Sequence, residues 1–120
     1  MAKKVLVVED ELDVLKVVSF VLRKRGYEVV EAVDGQQALA LAYEKKPDLV
    51  VLDLFLPVLD GREVSAKLKA DKQLRAIPIL LLTASADNII QKAQECNAHD
   101  YLLKPFDYTE LLQKVEKLLQ

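Results

Sequence analysis

Leu49-Val50-Val51-Leu52 is an unbroken apolar run, and Asp53 follows it without a spacer. So short a run, bounded by polar residues, reads as a strand buried on both faces. A carboxylate at its end either carries a desolvation cost inside the sheet or stands just past the C-terminal edge. Open parallel sheets place their ligands at that edge. Pro57 and the Asp60-Gly61 pair then force a turn before the chain resumes. The pattern is strand, acid, loop, helix.

The same unit recurs along the chain. Val5 to Val8 is a second buried-strand run, followed at once by Glu9-Asp10-Glu11. From Leu12 to Arg25, Val14, Leu15, Val18, Val21 and Leu22 form one apolar helical stripe. Arg23, Lys24 and Arg25 fill its last turn, and Gly26 is the natural left-handed stop. Tyr27 to Val33 is a more polar strand, expected at a sheet edge. A helix runs from Asp34-Gly35 through Lys45 with Ala38, Leu39 and Ala42 inward, and Pro47 ends it. Past the central strand, Gly61 to about Asp71 reads as a helix carried by Val64 and Leu68. Ile77 to Leu82 is the fourth strand, with Pro78 tolerable near its start. Asp87 to Cys96 is a weak helix, expected to be the least firmly held, and Asn97 is the best non-glycine choice for a left-handed end. Ala98 to Leu103 is the fifth strand. The last helix uses Asp107 as cap and buries Leu111, Leu112, Val115, Leu118 and Leu119.

Five strands alternating with five helices require parallel pairing, right-handed crossovers and helices on both faces. The 120 residues read as one domain, 1–120, with no internal repeat, low-complexity tract or linker. A 52% hydrophobic, 30% charged composition provides one core and a solvated surface. The 17 basic residues are scattered and the net charge is −2, so no footprint for direct nucleic acid binding is visible. No apolar run reaches membrane-spanning length, and no signal peptide precedes the first strand. The one cysteine, Cys96, excludes an internal disulfide and fits a reducing compartment; a cytoplasmic protein is expected.

Parallel strands bring their C-terminal ends to one edge. That edge gathers Glu9 and Asp10 after strand one, Asp53 after strand three, Thr83 after strand four and Lys104 after strand five. The acids repel one another and need a cation or raised pKa values. Hard oxygen ligands with room for water suit Mg²⁺. The lysine needs an anion, and a phosphoryl group carried on one carboxylate satisfies every member of the set.

These residues lie in the segments VLVVEDE (5–11), DLVVLDLFLPVLDG (48–61), PILLLTA (78–84) and DYLLKPF (100–106). In that order and spacing the chain, over residues 3 to 120, resembles the receiver domain of two-component response regulators. The resemblance implies an α/β fold, a five-stranded parallel sheet of order 2-1-3-4-5 with five helices on both faces, the flavodoxin-like doubly wound (βα)5 arrangement. It implies Asp53 as the phosphoacceptor, attacking a phosphohistidine of a sensor histidine kinase or phosphotransfer protein. Asp10 would ligate Mg²⁺ directly, Glu9 directly or through water, and Asp53 and the backbone carbonyl of Phe55 would complete the protein ligands. Lys104 would bind a phosphoryl oxygen, with the Lys104-Pro105 bond cis as in the family. Thr83 would donate its hydroxyl and swing inward, with Tyr101 as the switch aromatic. The helix at 87–96, the strand at 98–103 and the last helix would form the signalling face. On this reading the domain is not an enzyme, although it takes up and hydrolyses its own phosphoryl group with Mg²⁺.

Departures from the family pattern are few. Asn97 stands where glycine is usual, Leu59 where methionine is common, and Phe55 is bulky at a position that tunes hydrolysis. Lys92, Lys114 and Lys117 replace the arginines of a charged dimer interface, and lysine cannot reproduce bidentate pairing. The oligomer is left as monomer or phosphorylation-dependent dimer. The sequence fits both a stand-alone regulator and a domain cut from a longer chain, acting on an unknown downstream protein or output domain.

Each residue also has an ordinary reading. Asp53 and Asp60 could cap helices, Glu11 is the acid expected to cap the first helix, Thr83 could simply finish a strand, Lys104 could be an ordinary surface lysine and Tyr101 plain core, and His99 is read as a surface residue. Those readings leave unexplained why so many polar groups end on one edge. Three other classes compete with the phosphoacceptor. A receiver-like interaction module that works without phosphate has no need of Asp53, Thr83 and Lys104. A haloacid-dehalogenase-type hydrolase wants an acid where Phe55 stands. A flavodoxin-like cofactor binder wants a phosphate loop after the first strand.

Overall fold

The computed structural model describes residues 2–120. Its elements are β1 (Lys4–Val8), α1 (Leu12–Lys24), β2 (Glu28–Ala32), α2 (Gly35–Lys45), β3 (Leu49–Asp53), α3 (Gly61–Ala70), β4 (Ile79–Thr83), α4 (Ile89–Glu95), β5 (Asp100–Leu103) and α5 (Tyr108–Leu118). The strands form one sheet in the order β2-β1-β3-β4-β5, with every neighbouring pair parallel. This is the expected order, and the polar strand β2 lies at an edge.

The unbroken apolar runs are explained by the period of two along a strand. Val5, Val7, Leu49, Val51, Leu80 and Leu82 turn to one face, where Leu15, Val18 and Leu22 of α1 and Leu111 and Val115 of α5 cover them. Leu6, Val8, Val50, Leu52 and Ile79 turn to the other, against Ala38 and Ala42 of α2 and Val64 and Leu68 of α3. A smaller cluster joins Leu54 and Leu81 to Ala93 and Cys96 at α4. Burial of the Cys96 thiol pushes its pKa up, as suits an inert core group.

Helix ends follow local chemistry. Gly26, at φ 96°, closes α1: its N–H donates to the Arg23 carbonyl at 3.0 Å and that of Tyr27 to Leu22 at 3.2 Å. Asn97, at φ 52°, does the same for α4, with Asn97 N–H on Gln94 at 3.0 Å and Ala98 N–H on Ala93 at 2.9 Å. Ala98 is thereby committed to the helix, so β5 begins later than the sequence suggests. β4 also begins later, at Ile79. Ile77 N–H turns back to the Leu74 carbonyl at 3.0 Å, and Pro78 contributes only a carbonyl, accepting from Val50 N–H at 3.0 Å. Asp34, Asp60 and Asp107 each cap a helix through the side chain.

Two expectations change. Glu11 occupies the cap position of α1, but its side chain makes no capping bond; the reason lies in the site described below. α4 spans only Ile89–Glu95, and Ile90 points into solvent. Its N-terminus, at Asn88 with φ 53°, also lacks a side-chain cap, so Ala93 and the following Cys96 supply most of its anchorage.

Candidate functional site

The strand ends deliver the polar groups to one place. Glu9 follows β1 and its N–H donates to the Ala32 carbonyl of β2 at 3.0 Å, extending the ladder and fixing the carboxylate inward. Asp53 ends β3 and Thr83 ends β4; both are buried, as is Glu9, while Asp10 is exposed. Lys104 follows β5, and its N–H donates to the Thr83 carbonyl at 2.8 Å. The Lys104-Pro105 bond is cis, as expected.

Lys104 Nζ stands 2.5 Å from Glu9 Oε1, 3.1 Å from Glu11 Oε1 and 3.4 Å from Asp53 Oδ2. Carboxylate oxygens of Glu9, Asp10 and Asp53 lie within 4.8 Å of one another. Burial, then the neighbouring Asp53, raises the Glu9 pKa to about 7. Burial opposes the charge on Lys104, but the three carboxylates outweigh it and hold the ammonium above its ordinary range. Glu9 Oε1 touches the ammonium off the hydrogen-bonding direction and has no directed partner. An orphaned buried carboxylate oxygen, a half-exposed rim and a hard oxygen donor set fit a divalent cation such as Mg²⁺.

Around this centre, Phe55 N–H donates to Asp53 Oδ1 at 3.3 Å, while Phe55 as a whole is 58% exposed. Lys92 Nζ of α4 lies 5.7 Å from that ring and 3.3 Å from Ser85 Oγ. Thr83 Oγ1 accepts the Ser85 N–H at 3.2 Å. Val58 holds φ 69°, with Leu59 N–H on the Pro57 carbonyl at 2.8 Å, a tight three-residue turn that a β-branched residue rarely adopts. Tyr101 pairs in register with Leu81 and packs toward α4, away from the acids. Lys114 Nζ is 2.6 Å from its carbonyl and 5.1 Å above its ring. His99 is exposed, with Nδ1 accepting the Ile79 N–H at 3.4 Å.

The response regulator receiver domain family matches residues 5–116. The chain belongs to that family. The chain is 42% identical over 119 residues to the DNA-binding dual master transcriptional regulator RpaA of Synechocystis sp., covering 98% of this chain and 49% of that protein. It spans about half the length of the curated relatives it matches. The chemotaxis response regulator CheY4 of Vibrio cholerae superposes with a TM-score of 0.91 at 34% identity, covering 99% of this chain and 100% of that one. The receiver domain of the sensor histidine kinase PA1611 from Pseudomonas aeruginosa, solved with a magnesium ion coordinated in its active-site cleft, gives a TM-score of 0.91 at 32% identity over 99% of this chain and 98% of its own. Receiver domains bind Mg²⁺ at an acidic pocket, and Glu9, Asp10 and Asp53 form such a group here.

Sequence reasoning brought Glu9, Asp10, Asp53, Thr83 and Lys104 of this receiver to one edge and left Glu11 out. Glu11 is drawn from its helix by Lys104, 93 residues away, because an ammonium is a stronger partner for a carboxylate than a backbone N–H. The only available signal was three consecutive acids facing one lysine. No described helix is long and apolar enough to cross a membrane. A surface concavity of about 610 Å³, lined by Lys69, Arg75, Asn97 and His99, lies at the opposite end of the sheet, and its lining includes no carboxylate or thiol.

Proposed function

We propose that this receiver is a phosphoacceptor switch of a two-component phosphorelay, working in the cytoplasm. A sensor histidine kinase or phosphotransfer protein presents a phosphohistidine, and an Asp53 carboxylate oxygen attacks the phosphorus in line. The new O–P bond forms as the P–N bond breaks, and the electron pair returns to the imidazole nitrogen. The observation that carries this reading is the buried Asp53 carboxylate, 3.4 Å from the Lys104 ammonium and grouped with Glu9 and Asp10.

Asp10, Asp53, the Phe55 carbonyl and Glu9, directly or through water, would hold Mg²⁺, which when bound neutralises charge on the transferring phosphoryl oxygens. Lys104 would move its ammonium onto a phosphoryl oxygen, and Thr83 would turn its hydroxyl from the Ser85 amide to another. The void that Thr83 leaves lets Tyr101 turn inward and alters the α4–β5–α5 face read by a downstream protein or output domain. Lys114 is already engaged with Asp100 at 3.0 Å and with Tyr101, which favours action as a monomer or through a dimer formed only on phosphorylation. The domain is not an enzyme in the ordinary sense. It takes its phosphoryl group from a donor and hydrolyses it.

Incubation with acetyl phosphate and Mg²⁺, read by intact mass beside Asp53→Asn, tests this. One phosphoryl group should be gained by the parent protein and not by the variant, and EDTA should abolish the gain. No gain under conditions that modify another receiver would instead favour a phosphate-independent interaction module.

A further inference from the structure

Lys104 has three N–H donors, and three carboxylates, those of Glu9, Glu11 and Asp53, surround them. Its hydrogen bonds are directed to Glu11 and Asp53, with Glu9 in close contact, so a phosphoryl oxygen that Lys104 is to bind competes with these carboxylates for the ammonium. The side chains of Glu9 and Asp53 are 0% and 6% exposed, so neither could recover its lost partner from water. Glu11 is 63% exposed, and its carboxylate rehydrates at little cost. Glu11 also occupies the cap position of α1 without capping it, so once released it stands beside the positive end of that helix.

We propose that Glu11 is a positioning residue that acts through Lys104: an exchangeable counter-anion that parks the ammonium at the site in the unphosphorylated protein and competes with the phosphoryl group for it. This rests on the reading of Asp53 as the acceptor. Removing the Glu11 charge frees one donor in advance, so an anion on Asp53 should be bound more tightly. An exposed charge pair of this kind corresponds to about a two- to fivefold change in affinity. Asp13 is the control. It is exposed on the first turn of the same helix, carries the same charge, and makes no ion pair with Lys104.

The test is beryllofluoride binding at saturating Mg²⁺ by the parent protein, Glu11→Gln, Glu11→Ala and Asp13→Asn, with acetyl phosphate kinetics alongside. Both Glu11 variants should bind about two- to fivefold more tightly, and the gain should shrink at high salt. Their KM for acetyl phosphate should fall with the maximal rate held, and Asp13→Asn should match the parent protein. Unchanged or weaker binding in the Glu11 variants, or an equal gain in Asp13→Asn, would overturn the proposal. If the parent protein binds no beryllofluoride, the acceptor reading falls and this one with it. Normal parent binding with unaltered Glu11 variants removes only the role of Glu11.

Discussion

Gly61 lies against Asp53 from behind: a β-carbon on Gly61 would stand 2.7 Å from the Asp53 carbonyl oxygen and 2.8 Å from the Leu54 α-carbon. Both atoms are backbone and cannot move aside cheaply. The Gly61 N–H also donates to the Leu54 carbonyl at 2.8 Å, so the first residue of α3 is stapled just past the end of β3. Gly61 is therefore needed for space, not for an unusual backbone angle. Gly61→Ala should destabilise the protein by about 1–3 kcal/mol in urea unfolding and, on the proposed function, slow phosphoryl uptake at Asp53 beyond that loss, by displacing the end of β3. An alanine variant equal to the parent in both would show that the loop can yield.

Folding raises the Glu9 pKa from 4.5 to about 7, first through burial and then through Asp53. Between those values the folded protein holds more protons than the unfolded chain. Stability without Mg²⁺ should therefore fall as pH rises through this window, with the loss complete above it. The loss attributable to Glu9 is on the order of 3 kcal/mol. Lys104, whose pKa is also raised, contributes stability that persists below the ordinary lysine range, so it leaves this window alone. Thermal unfolding of the parent protein and Glu9→Gln from about pH 5 to 8 should diverge in slope, and saturating Mg²⁺ should flatten the parent curve.

Asn97 carries the left-handed angle that closes α4, the helix with the least apolar anchorage. Asn97→Ala should cost about 1 kcal/mol and raise amide exchange across Ile89–Glu95, whereas Asn97→Gly should stay near the parent protein. Equal stability of the alanine variant would mean the two closing bonds contribute nothing.

Phe55 is half-exposed and flanked by Lys92 over its ring, so it contributes shielding at the mouth of the site more than core packing. Phe55→Ala should change stability by no more than about 0.5 kcal/mol. Loss of the phosphoryl group from Asp53, followed by intact mass over time, should become faster as water gains access. A lifetime unchanged from the parent would remove Phe55 from control of hydrolysis.

Much of the fold was legible in the order of residues, because strands buried on both faces read as unbroken apolar runs and amphipathic helices as single stripes. Val5–Val8 and Leu49–Leu52 announced the sheet, Leu15, Val18 and Leu22 the helix over it, and Gly26 and Asn97 their stops. Parallel pairing then compelled Glu9, Asp53, Thr83 and Lys104 to one edge, since each ends or follows a strand of the same sheet. These inferences need only local periodicity and the rule that parallel strands share an end. Other features needed the assembled structure. The late start of β4 depends on where the Ile77 N–H turns, and Ile90 faces water because a short helix can present only one side to Leu54 and Leu81. Glu11 left its helix cap only because folding carried Lys104 across 93 residues to meet it. Sequence patterning records the preferences of neighbours along the chain; which charge wins a shared partner is decided by distance, burial and competition, and those exist only once the chain has folded.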